Sequence, residues 1–323
     1  MNKKAYLGMS FQWIFALIVG AFILVLTIYG VTRFTEVEQG KQDIQKAQQL
    51  ENLLNPLETS FETATSVPIT TNVMTRIQVT CDSSGELGEQ GIKIQQKNLN
   101  EIPEDANGRS VKSKNRYIFL NKSVEGKKFY IFSKPFNFPF KVGDLIYITS
   151  DKSLYCFQNP PENVKKDLDG INQSNIITGC SQEELGYRNV IKVCFIESGS
   201  SSPQDCDIKV FNYNGVNSKL EKNNQEVFFS NDALMYAGIF SDVENYECQL
   251  KRLIKREQKL SSLYIEKSNM ISHVCSNNEL KPLLIILKTN FENYNNSGSL
   301  RRSNNLVEEI KNKNEGSWEC RLW

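Results

Sequence analysis

The stretch Phe11-Gln-Trp-Ile-Phe-Ala-Leu-Ile-Val-Gly-Ala-Phe-Ile-Leu-Val-Leu-Thr-Ile-Tyr-Gly-Val31 carries no charge. As a helix it is about 31 Å long at about 1.5 Å per residue, which matches a hydrocarbon core about 30 Å thick. A buried core helix of this length would show a polar face, and none is present. A secretory signal has an apolar region of about 7–15 residues followed by a small-residue cleavage site. This stretch is longer, and no such site follows it. Residues 11–31 are therefore predicted to cross a membrane once, so lipid is the first partner the sequence implies.

The flanks set a direction. Lys3, Lys4 and the α-amino group precede the span, whereas Arg33 is followed by Glu36 and Glu38. The excess of basic residues before the span leans towards an N-terminus inside and a C-terminal portion outside. The eight cysteines, at 81, 156, 180, 194, 206, 248, 275 and 320, point the same way. All lie beyond the span, none forms a CxxC pair, and their number is even, as in a disulfide framework outside the cytoplasm. Spacing alone does not give the connectivity; Cys194 and Cys206 would face each other across a hairpin formed by their two segments and are the best single pair, and Cys275 with Cys320 would close the helical end of the chain. Cys248 and Cys275 would lie about 40 Å apart on one straight helix and are not expected to pair. Asn-x-Ser triplets at Asn121, Asn172 and Asn295 are compatible with surface glycosylation.

Outward from the span the pattern changes twice. After the short basic leader (1–10) and the span (11–31), apolar residues at 34, 37, 44, 47, 50, 54, 57, 61 and 64 recur at spacings of mostly three and four. This predicts an amphipathic stalk helix over 32–66, with Gly40 and Pro56 as possible bends. From Pro68 to about 240, runs such as ITTNVMTRIQVTC, RYIFL, KFYIF, DLIYIT and NVIKVCFIE read as strands separated by Gly, Asn, Pro and Ser. The segments Val190–Ile196 and Cys206–Phe211 read as a hairpin. Residues 241–323 turn helical. Ser241 and Glu244 form a capping box. Tyr246, Leu250, Leu253, Leu260, Tyr264 and Ile271 share a face that Glu257 and Lys267 interrupt. Further helices are expected over 279–294, with Pro282 in the first turn, and over 304–314. The class is α+β: an anchor and stalk, a β-rich domain over 67–240 and a helical segment over 241–323.

The chain shows little chemistry. Lys and Arg total 38 against 37 for Asp and Glu, for a net charge of +1. That balance argues against a grip on nucleic acid, which needs a clustered basic face. His273 is the only histidine, and it falls near the end of the long helix, where a cation suits the macrodipole. No nucleophile motif, phosphate-binding loop or dinucleotide fingerprint is present, so no enzyme, cofactor or metal is expected. Asp82, Asp205 and Asp207 flank cysteines without the spacing of a calcium loop. Aromatic residues crowd the region 117–147. Most read as core, but Pro135 and Pro139 keep Ser133–Phe140 out of a central strand, so Phe136, Phe138 and Phe140 are expected to form an exposed contact patch.

The N-terminus carries Lys3-Lys4-Ala5, then Gly8, then Ser10-Phe11-Gln12-Trp13 entering the helix. Together with the long apolar helix and its amphipathic continuation into a head, this resembles the archaeal type IV pilin-like proteins over the leader, the span and the stalk. The resemblance implies peptidase cleavage of the leader, at Ala5 or at Gly8, and assembly into a filament with copies of itself. Gln12 stands where that family usually has an acidic residue, and the head is larger than a typical pilin head. The rest of the chain resembles membrane-anchored archaeal surface proteins, a resemblance that carries no activity. The sequence thus favours a non-enzymatic cell-surface protein whose head makes contacts with copies of itself or other surface proteins. A pilin-like subunit and a membrane-tethered hydrolase are the alternatives.

Overall fold

A computed structural model describes residues 11–59, 67–96, 110–180, 189–197, 205–213, 215, 217–273, 275, 279–317 and 320–323; within the first segment, side chains are described at 13–34, 45 and 47–50. The architecture is α+β: an N-terminal apolar helix, two mixed β-sheets and a set of C-terminal helices.

Helix α1, Phe11–Thr59, runs as one 49-residue helix through both Gly40 and Pro56. From residue 13 to residue 34 every side chain is exposed. The stripe positions that follow are fulfilled at Ala47 and Leu50, which are buried against the first sheet. The stripe positions 37, 44, 54, 57, 61 and 64 lie outside the described side chains, as do the leader residues Ala5 and Gly8.

The first sheet has strand order β3-β2-β1-β5-β6-β4. It comprises β1 (Val67–Asp82), β2 (Glu89–Gln96), β3 (Val111–Ser113), β4 (Tyr117–Phe119), β5 (Ser123–Asn137) and β6 (Lys141–Ser150). All neighbours are antiparallel except β4 and β6. Alternation assigns its two faces. Ile118, Ile131, Ile146 and Ile148 pack with Ala47 and Leu50 of α1, while Tyr117, Phe119, Phe132 and Tyr147 face the main core. Pairing with β1 ends at Ile131, so the proline-bearing end of β5 runs beside β6 alone, where a missing N–H does not interrupt a second ladder.

The second sheet has order β12-β11-β10-β9-β7-β8. Its strands are β7 (Ser153–Gln158), β8 (Ile176–Thr178), β9 (Asn189–Ile196), β10 (Ile208–Phe211), β11 (Lys219–Lys222) and β12 (Gln225–Phe228). The expected hairpin between β9 and β10 is not what forms. The two strands are parallel, with Ile208 opposite Val193 and Phe211 opposite Ile196. Alternation in two runs fixes strand identity but not relative direction.

Two helices sit inside the region read as β-rich. One is α2, Glu162–Ile171, which buries Val164, Leu168 and Ile171. The other is α3, Asp232–Phe240, buried on every side and therefore without a polar face to betray its period. The C-terminal helices are α4 (Val243–Ile271), α5 (Leu280–Asn290) and α6 (Asn304–Gly316). Pro282 does fall in the first turn of α5. The capping box is corrected: Asp242 caps α4, accepting from Asn245 N at 2.9 Å, while Ser241 ends α3 and donates to Ala237 O. The β-rich and helical parts share one core, in which Phe132 lies 4.6 Å from Tyr147 and edge-on to Phe240 at 5.5 Å. Such offset and edge contacts add to the apolar area that aromatic rings bury.

Of four disulfides, Cys81–Cys248 ties the first sheet to α4, Cys156–Cys180 and Cys194–Cys206 lie within the second sheet and its connections, and Cys275–Cys320 closes the helical segment.

Candidate functional site

The apolar stretch of α1 and the head are set a defined distance apart. The 22-residue apolar stretch of α1 ends at Phe34, and the helix continues without a break to Ala47, its first described contact with the head. At about 1.5 Å per residue, that contact stands about 20 Å above the apolar edge. Helix α1 is long and apolar enough to cross a membrane, and none of that stretch is buried. With the four disulfides, it fits an extracellular, disulfide-bearing, membrane-anchored protein.

The residues picked out as chemistry take up structural duties. Phe136, Phe138 and Phe140 do not form an exposed patch, because none is more than 1 % exposed. Phe136 stacks on Phe138, Phe138 meets Phe291, and Phe140 packs on Tyr264 and Trp323. Pro135 stays within β5, paired with β6 alone, and Pro139 lies in the turn between the two strands, but this hairpin end is covered by α4, the end of α5 and the C-terminus. His273 is exposed just past the end of α4. Asp205 pairs with Lys192, Asp207 accepts from Lys192 N, and Asp82 accepts from Ser84 N. Among the described residues no group of three metal-ligating side chains occurs. Asn172 and Asn295 are exposed, whereas Asn121 accepts from Lys222 Nζ at 3.1 Å.

Sequence reasoning missed a buried polar network on α4. Strand β4 is the edge of its sheet, and α4 lies along it. Asn245 donates to Ile118 O and Leu120 O. Gln90 of β2 accepts from both Ile118 N and Gln249 Nε2, which brings the two sides of the curled sheet within reach of one side chain. The Arg252 guanidinium is buried and donates to Arg116 O, Lys114 O, Leu87 O and Gln249 Oε1 over the Tyr117 ring. Burial weakens its hold on its proton, and Tyr117, Glu89 and Asp82 only partly offset that. The network satisfies edge groups that would otherwise be orphaned.

A polar cleft lies where the segment Asn137–Pro139, the start of α3 and the start of α6 meet. It consists of two adjoining hollows of about 320 Å³ each, which share Asn137, Asn231, Asp232, Val307 and Glu308. Its walls are fixed by hydrogen bonds. Asn231 accepts from Leu234 N and donates to Asn137 O. Asp232 accepts from the Tyr213 hydroxyl, which burial and that carboxylate hold strongly protonated. Lys134 at one end pairs with Asp167 and lies over the Tyr236 ring.

No protein-family model, no curated protein and no solved structure matches this chain.

Proposed function

We propose that this chain is a non-enzymatic cell-surface protein, held in the cell membrane by α1 with its disulfide-bonded head outside, where the head makes contacts. One observation carries the reading. The stretch from Trp13 to Phe34 is fully exposed, while the same helix, further along at Ala47 and Leu50, is locked into a head that holds four disulfides. Leaving such a stretch in water is costly, at about 25 cal/mol per Å² of apolar surface, and lipid removes that cost.

The test is fractionation and labelling of cells that make the chain. The protein stays in the membrane pellet after alkaline extraction, a protease added outside removes the head, and a non-reducing peptide map returns the four cystines. Recovery of the full-length protein in the soluble fraction with all eight thiols reactive overturns the reading.

A second reading, a pilin-like subunit assembling with copies of itself, is favoured by one feature: α1 passes without a break from the apolar stretch into the head. Intact mass of the mature protein separates the two, since loss of the first five or eight residues supports leader processing and an intact N-terminus does not.

A further inference from the structure

We infer that the cleft between Asn137, the α3 start and the α6 start binds a neutral saccharide. The lining is rich in groups that pair with hydroxyls. Asn137, Asn304 and Asn305 contribute side-chain amides and Asp232 and Glu308 contribute carboxylates, while Asn231 and Ser218 are already bonded to their neighbours. An amide offers a donor and an acceptor side by side, and a carboxylate offers two acceptors. That combination matches neighbouring hydroxyls on a sugar ring, each of which both donates and accepts.

Charge narrows the class. Lys134 and Lys311 stand opposite Asp232 and Glu308 in the second hollow, and Lys134 is already paired with Asp167. The helix N-termini of α3 and α6 favour an anion, but α3 carries Asp232 in its first turn and α6 has Glu308 one turn on. With Lys134 committed to Asp167, the lining leaves one lysine against two carboxylates, so it offers no net positive charge to an anion, and a neutral ligand asks for no counter-charge. Two buried polar atoms beneath the lining, Ser230 Oγ and Asn304 Oδ1, have no hydrogen-bond partner among the described residues. Both atoms are shut off from the hollow itself, so the hydrogen bonds a hydroxylated ligand gains come from the exposed Asn305 amide and Glu308 carboxylate. The volume of each hollow falls at the lower end of the range, about 300–1,000 Å³, that small-molecule sites occupy. The bonds of Asn231, Asp232 and Ser218 to their neighbours keep the lining in place before a ligand arrives.

A saccharide is then the partner in the contact reading of the head, and this rests on the head lying outside the membrane. The experiment is saturation-transfer NMR on the full chain in a detergent without a sugar headgroup. The probes are glucose, galactose, mannose, N-acetylglucosamine and their common disaccharides. At least one of them is expected to receive saturation. Asn305 and Glu308 are exposed on α6, so N305A/E308Q is expected to unfold at the same temperature as the parent chain while binding about tenfold more weakly, the loss of about 1.4 kcal/mol of hydrogen bonding. E309Q, outside the lining, binds as the parent does. Saturation of no probe, or equal binding by N305A/E308Q, overturns the site and leaves the membrane anchor standing. New anomeric signals from a cleaved disaccharide that vanish in N305A/E308Q uphold the site but overturn the non-enzymatic reading.

Discussion

Cys81 on β1 and Cys248 on α4 are joined across 167 residues of chain, which fastens the long C-terminal helix to the first strand of the head. This cross-link closes the longest loop of the four; Cys194–Cys206 closes the shortest, at 12 residues. In the chain-entropy account, stabilisation grows with the logarithm of loop length, which gives about 5 kcal/mol for the first and about 3 kcal/mol for the second. C81A/C248A is therefore expected to lose more stability than C194A/C206A. Equilibrium denaturant unfolding of the two variants checks the order, and equal losses would contradict it.

Arg252 gives the second prediction. Its guanidinium is buried, and three backbone carbonyls, of Leu87, Lys114 and Arg116, depend on it. R252M keeps much of the volume but leaves those carbonyls and Gln249 Oε1 without that donor. A loss of about 3–5 kcal/mol is expected, of the size seen when one side of a buried charged network is removed. Arg116 lies on the same edge with its carbonyl in use, so R252M is also expected to speed amide exchange along β4, read by mass spectrometry.

These two devices show what was legible in the sequence and what was not. The apolar helix was legible because composition alone marks it: no pattern of contacts is needed to say that a long run of uncharged, mostly apolar residues avoids water. Cys194 with Cys206 was chosen from a hairpin and Cys275 with Cys320 as the closure of the helical part; the structure joins both, the first although β9 and β10 run parallel. Cys81 with Cys248 depends on which sheet edge α4 covers, which no local pattern records. Arg252 reads in sequence as one more charge on the polar side of a helix. It is buried because the segment 114–116 leading into β4 and the turn at Leu87 leave carbonyls for it, a fact about topology. The phenylalanines of 136–140 failed as a surface patch for the same reason. The prolines do place the segment at a hairpin end beside one strand only, but what covers that end is set by α4, α5 and Trp323. The cleft was not legible at all, since Asn137, Asn231 and Asn304 come from three separate regions of the chain and share no spacing.

Gly88 gives the third prediction. Its φ of +62° is a left-handed conformation, and a Cβ placed there would lie 2.4 Å from Asp82 O and 3.0 Å from the Arg252 side chain. Backbone cannot move aside as a flexible side chain can. Gly88→Ala is expected to cost more than the roughly 1 kcal/mol of a strained φ alone, on the order of 2–3 kcal/mol. Thermal unfolding of the variant beside Gly85→Ala, where φ is also positive but nothing lies within 4 Å, separates the clash from the strain.

Two buried ionisable groups shape stability against pH in opposite directions. Glu257 is buried on α4 with only Ser261 donating to it, and burial pushes its carboxyl up to about 7 from an ordinary 4.5. Between those values the folded chain holds a proton that the unfolded chain has released, so stability falls as pH rises from 4.5 to 7. Lys222 donates to Asn121 Oδ1, Ile239 O and Ser241 O, yet burial pulls its ammonium down to about 8 from 10.5. There the unfolded chain holds the extra proton, so stability rises from pH 8 to 10.5. Each limb is on the order of 3 kcal/mol at most, from about 1.36 kcal/mol per pH unit. From these two groups the head is expected to be least stable between about pH 7 and 8. Denaturant midpoints measured from pH 4.5 to 10.5 trace the curve. Glu257→Gln is expected to flatten the acid limb alone, and Lys222→Met the alkaline limb alone; if both limbs persist in either variant, the group has been wrongly assigned.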